Sequence, residues 1–172
     1  ITSFPFGCYA HTSAGAGVFT FFATQLGGQS GLYVMTMSGG LPSAAVTTAL
    51  EGDAAPGGGG LVYSNLVTSS QPHVRMDSAG NYAYYAGLNP GGVGAVFYAP
   101  IATGIGTKVS IAGDAAPGTT TTFKDYRSLV MGGVNNIAFI GDLNATGDNA
   151  AGLTGEGVWK GVAPNSISTY SL

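Results

Sequence analysis

The six residues Gly52-Asp53-Ala54-Ala55-Pro56-Gly57 recur unchanged as Gly113-Asp114-Ala115-Ala116-Pro117-Gly118, 61 positions further on. An identical segment at that spacing marks a tandem repeat, and a repeat decides the architecture before any single residue does. The periodicity extends beyond the hexapeptide. Asp77-x-x-Gly80-x-x-Ala83-Tyr84 aligns with Gly132-x-x-Asn135-x-x-Ala138-Phe139 and with Ala14-x-x-Gly17-x-x-Thr20-Phe21. A second anchor follows each: Gly31-Leu32-Tyr33-Val34, Ala95-Val96-Phe97-Tyr98 and Gly157-Val158-Trp159-Lys160. The chain of 172 residues therefore divides into three units, about 1–57, 58–118 and 119–172.

No 3.6-residue apolar period persists, and the 30 glycines interrupt every helical window. Short aromatic and β-branched runs bounded by Gly, Pro, Asn and Ser read as strands. They fall at 2–9, 18–24, 31–37 and 45–50, at 61–67, 81–88, 95–101 and 107–111, and at 123–130, 137–143, 157–162 and 166–170. The expectation is an all-β chain of three tandem four-stranded antiparallel repeats resembling β-propeller blades, with a β-sandwich or a stacked β-solenoid as alternatives. Large and small residues alternate in Tyr82-Ala83-Tyr84 and Ile137-Ala138-Phe139, which predicts large side chains packing unit on unit and alanine on the tighter face. In the hexapeptide, Pro56 and Pro117 preset φ for a tight turn, the glycine that follows accepts positive φ, and Asp53 and Asp114 can bond nearby backbone. These aspartates read as turn residues rather than as a cation site.

Propellers usually close with about four to eight blades, more than three units supply. The shortfall predicts either a homo-oligomer or further repeats of a longer chain, because a repeat unit cannot bury both faces alone. Open sheet edges are templates for strand addition. The predicted assembly edges are Thr2, Phe4 and Phe6 at one end and Ile167 and Tyr170 at the other.

Only 8% of residues are charged, against about 25% in an average soluble domain. A surface so poor in charge suits a secreted or cell-surface protein, and a start at Ile1 rather than Met is compatible with a processed N-terminus. Five Lys and Arg and a net charge of −3 argue against nucleic acid. No run of about 18–20 apolar residues suggests a membrane span. The lone Cys8 excludes an intrachain disulfide and reads as a small buried hydrophobe.

The spacing Asn-x-x-Gly-x-x-Ala-Phe, with its Gly-Val-Trp anchor and Gly-Asp-x-x-Pro-Gly turn, resembles tandem repeats of bacterial exported and surface proteins that carry varied C-terminal sorting anchors. The match runs through Asp77, Gly80, Ala83 and Tyr84 in unit two and Gly132, Asn135, Ala138 and Phe139 in unit three. The resemblance implies export and a surface or matrix residence, and no activity.

Candidate chemistry is sparse. Asp142, Asn144 and Asp148 form the best oxygen-ligand cluster, a calcium candidate without the closing carboxylate of an EF-hand loop. Asn144-Ala145-Thr146 also fits a glycosylation acceptor. His11 and His73 lack a carboxylate at a spacing that suggests a triad. Gly57–Gly60 lacks the Lys-Ser/Thr of a phosphate loop. Tyr82, Tyr84, Tyr85, Phe97, Tyr98 and Trp159 could form a glycan-stacking face, although their alternation suits a core better. A glycoside hydrolase would need two carboxylates at a set distance, and the chain has eight acids in all. The expected function is therefore non-catalytic: a self-assembling subunit of a filament, ring or surface layer, with a glycan- or protein-binding module as the alternative.

Overall fold

The computed structural model describes residues 3–13, 16–66, 74–144, 155–164 and 166–169; for 3–13, 16, 65, 166 and 169 it describes the backbone only. The described chain is all β, with no helix and hence none long and apolar enough to cross a membrane.

Three antiparallel sheets follow one another along the chain. The first contains β1 (Ser3–Ser13), β2 (Ala16–Thr24), β3 (Ser30–Ser38), β4 (Leu41–Pro42) and β5 (Val46–Leu50), in the order β1-β2-β3-β4 with β5 also on β3. The second contains β6 (Val62–Asn65), β7 (Val74–Met76), β8 (Tyr82–Asn89), β9 (Val93–Ala99) and β10 (Thr107–Ile111), in the order β10-β9-β8-β6 with β7 also on β8. The third is a simple meander of β11 (Phe123–Met131), β12 (Asn136–Leu143), β13 (Glu156–Val162) and β14 (Ser166–Thr169).

The expected four-strand pattern is modified twice. In the first unit the fourth strand is split into β4 and β5, which share β3. In the second unit the first strand is split into β6 and β7, which share β8. Pieces of two to four residues are too short to show a period of their own, so only the partner strand defines them. The segment 74–76 was not among the expected strands.

The sheets stack face to face, and the alternating pattern explains how. Successive residues of a strand point to opposite faces. From the second sheet, Tyr82, Tyr84 and Phe97 pack with Phe22, Leu32 and Val34 of the first. From its other face, Ala83, Val96 and Tyr98 pack with Phe139 and Trp159 of the third. The middle sheet is thus buried on both sides, which is why β8 and β9 read as nearly continuous apolar runs. Strands β1 and β11 both lie against β7, so the leading strands of the three units gather at one side of the stack.

Candidate functional site

The repeated turns are the joints between sheets. Gly52 N–H donates to Tyr63 O at 2.7 Å and Gly113 N–H to Phe123 O at 2.8 Å; the return bonds run from Tyr63 N–H to Asp53 O and from Phe123 N–H to Asp114 O. Gly57 and Gly118 take the positive φ expected after Pro56 and Pro117, at 67° and 78°. Ala55 and Ala116 drop into the two cores. The Asp114 carboxylate reaches back to Ile111 N–H at 2.8 Å and holds Lys108 at 3.3 Å, whereas Asp53 is exposed. The Pro117 carbonyl accepts the Trp159 indole N–H at 3.0 Å.

Between the joints, each unit carries one cross-strand aromatic pair at the same repeat position. Phe21–Tyr33, Tyr84–Phe97 and Phe139–Trp159 are direct register partners. Their rings stack at interplanar angles of 21°, 23° and 20°. A third ring meets the last two pairs edge-on: Tyr63 against Phe97 at 5.3 Å and Phe123 against Trp159 at 4.7 Å, geometries that favour aromatic contact. Two residues further along the same face each pair is followed by small residues: Ala23 opposite Gly31, Ala86 opposite Ala95, and Gly141 opposite Gly157. At Gly141 a Cβ would lie 2.7 Å from Phe123, so the ring occupies the space a side chain would need.

The opposite face of each unit carries two rows. They are Thr20–Val34 and Phe22–Leu32 in the first sheet, Ala83–Tyr98 and Tyr85–Val96 in the second, and Ala138–Lys160 and Ile140–Val158 in the third. In the first sheet these rows are buried against the second, and in the second against the third. In the third sheet no described sheet covers them, and the Ala138–Lys160 row lines an open trough of about 510 Å³ with Val130 and Val162.

Polar side chains are taken up by the seams. Tyr82 bonds Thr48, and Tyr126 bonds Ser110. Tyr85 donates to Asp125 at 3.0 Å, and Tyr63 and Tyr84 share a hydroxyl contact at 2.9 Å. Burial raises the phenols of Tyr63 and Tyr82 to about 12, partly offset by their hydroxyl partners. It raises Tyr84 well above its usual value, and Tyr85 and Tyr126 likewise, with Asp125 adding to the effect in both. A desolvated phenol stays neutral and acts as a hydrogen-bond donor.

The densest seam contact centres on the buried Asp77. Its carboxylate accepts the backbone N–H groups of Ala79, Asn81 and Asn135 and the Asn81 amide. Asn135 Oδ1 in turn accepts from Asn81 and from Tyr98. Asn135 has φ of 61°, the one left-handed non-glycine among the described residues. Its repeat equivalent is Gly80, with φ of 87°, where an added Cβ would lie 3.3 Å from Val18 across the other seam. The repeat pattern does not show this network: there Asp77 is one position of the match, standing where the spacing has its leading asparagine. The signal available was that polar departures from the repeat fall at turn positions flanking one seam.

The calcium candidates are not brought together among the described residues. The Arg127 guanidinium meets Asp142, with Nε 3.0 Å from Oδ1 in ion-pair contact and donating to Oδ2 at 3.1 Å; it also meets Glu156 at 3.5 Å. Asn144 turns its amide to Thr122 and the Phe123 carbonyl. Asp148 lies outside the described residues, as do Thr2, Tyr170 and His73. No group of three or more His, Cys, Asp or Glu that could hold a metal occurs among the described residues. Phe4 and Phe6 lie on β1 and Ile167 on β14; among the described strands β1 pairs with β2 alone and β14 with β13 alone. The six aromatics of the suggested glycan face belong to the seams: all but the half-buried Tyr85 are buried.

Three stacked antiparallel sheets joined by two copies of one turn define an all-β tandem-repeat protein. The profile of a family of unknown function, DUF7453, matches residues 9–167, and the chain belongs to that family. No curated protein matches the chain.

Proposed function

We propose that this chain is an exported structural protein that self-assembles, its three units acting as blade-like modules of the propeller kind in an open array. The observation that carries the reading is where the reactive side chains go. Glu51 bonds Ser30, Asp77 bonds Asn135, Asp114 holds Lys108, Asp125 receives Tyr85, and Asp142 and Glu156 hold Arg127. Asp77 and Asp125 join sheets while the others brace their own unit, and a carboxylate engaged in this way offers little to a substrate, since general acid–base work needs a group within reach of a reacting proton. The gathering of leading strands on β7 and the same-sense stacking of sheets support the blade-like reading. Among the described residues, strands β1 and β14 each pair on one edge only, which leaves the other for a neighbour, the route by which sheets extend between chains. The low charge and the surface-protein resemblance support export.

Light scattering and electron microscopy of the purified chain test the reading. The expected result is a concentration-dependent assembly with a regular repeat. A compact monomer throughout the micromolar range overturns it.

A further inference from the structure

We infer that the outer face of the third sheet is a docking surface for the aromatic face of one further unit of this same repeat. The inference goes beyond edge-strand assembly, because it concerns a sheet face and a different kind of contact.

Two seams already show what such a face accepts. The rows Thr20–Val34 and Phe22–Leu32 receive the Tyr84–Phe97 pair, and the rows Ala83–Tyr98 and Tyr85–Val96 receive Phe139–Trp159. The corresponding rows Ala138–Lys160 and Ile140–Val158 occupy the same register on the third sheet, and no described sheet covers them. The face is mixed, apolar around Ala138, with Arg127 held by Asp142 and Glu156 in the row beyond Ile140–Val158. Val130 and Val162 are 53% and 52% exposed beside Ala138, over a trough of about 510 Å³. Two stacked rings would bury a large apolar area there, and aromatic side chains carry about 150–250 Å² each. Lys160 stands where Tyr98 stands in the second unit; its long apolar stem can lie along the trough while the ammonium reaches the rim.

The occupant is a further unit of the array rather than the first unit of a second copy. A second copy would have to offer its own free aromatic pair, Phe21–Tyr33, and both rings are already 5% exposed, with Gln25 bonding the Tyr33 hydroxyl at 2.7 Å. The seam geometry also uses a covalent joint, the Gly-Asp-Ala-Ala-Pro-Gly turn, which sets one sheet onto the next.

The test appends residues 113–172 once more after Leu172 and places Val162→Cys in the original third unit, with thiol labelling located by peptide mass mapping so that Cys8 is scored separately. The expected result is labelling slowed about tenfold relative to the three-unit chain, the protection of a face docked nine-tenths of the time. Ala138→Arg in the original unit should restore the fast rate. Equal rates in a four-unit chain whose added tryptophan emits as a buried indole overturn the inference. Appending residues 52–118 instead, again with the leading joint, guards against a single misfolding fusion; if neither unit gains strand signal on the chain, the face is not a docking surface and the inference fails. Labelling of the three-unit chain that slows as its own concentration rises assigns the face to a second copy and overturns the inference as well. None of these outcomes depends on assembly through β1 or β14, which light scattering reads separately.

Discussion

The Asp77 carboxylate accepts the backbone N–H of Asn135 at 2.8 Å, from a residue 58 positions along the chain, and so ties the second sheet to the third. The same oxygens fix the local turn through Ala79 and Asn81. One side chain therefore orders its own hairpin and the seam beside it. Asn135 completes the link because its left-handed backbone aims its amide oxygen at Tyr98 and Asn81. Asp77→Ala should lower stability by about 2–3 kcal/mol, the range for losing hydrogen bonds to a charged group. Asn135→Gly should cost less than Asn135→Ala, since alanine adds about 1–2 kcal/mol of left-handed strain to the same lost bonds. Urea unfolding of the three variants checks the order.

Thr20 offers the opposite case. Its hydroxyl is fully buried at the first seam without a hydrogen-bond partner, where the repeat equivalents are Ala83 and Ala138. Thr20→Val keeps the shape and removes the desolvated hydroxyl. The expected effect is a gain of about 1 kcal/mol, read as a higher urea midpoint at unchanged slope.

The indole N–H of Trp159 is spent on the Pro117 carbonyl, which fastens the repeated turn to the third sheet. Trp159→Phe removes that donor and some ring volume while keeping the stack on Phe139. A loss of about 1–2 kcal/mol is expected, followed by circular dichroism because the variant has no tryptophan left.

Alkaline pH should unfold the protein. Tyr63 and Tyr82 ionise near 12 when folded and near 10 when unfolded, burial being the main cause. Their contribution is complete below pH 10, because both states then hold the proton. Above pH 10 the unfolded chain releases protons that the folded chain retains, so stability falls by about 1.4 kcal/mol per pH unit for each such phenol until the folded value is passed. Phenolate absorbance and strand circular dichroism should therefore change together between pH 10 and 12. Phenolate absorbance rising to completion near pH 10, with the strands intact, would contradict buried hydroxyls.

Much of the fold was legible in the chain because its signals are local. The alternation Tyr82-Ala83-Tyr84 predicted rings on one face and alanine on the other, and the rings do meet the first sheet while Ala83 meets the third. The doubled hexapeptide predicted the two joints, down to the positive φ of Gly57 and Gly118. Less legible were β7 and β4, whose pairing exists only through β8 and β3. Asp142 and Asn144 looked like shared ligands by spacing alone. On the sheet, Asp142 is drawn to Arg127 and Asn144 to the strand beside it, because directly opposed cross-strand neighbours lie closer than residues two apart along one strand.

The sequence alone determined most of the strands, the repeated turns and the apolar side of strands such as β8 and β12, since turn chemistry and a two-residue period act within a few residues. Only the tertiary structure decided which face meets which sheet, that Asp77 reaches Asn135, and that no described sheet covers the outer rows of the third. Those outcomes depend on residues dozens of positions apart arriving at one seam, and no local preference encodes which partner arrives.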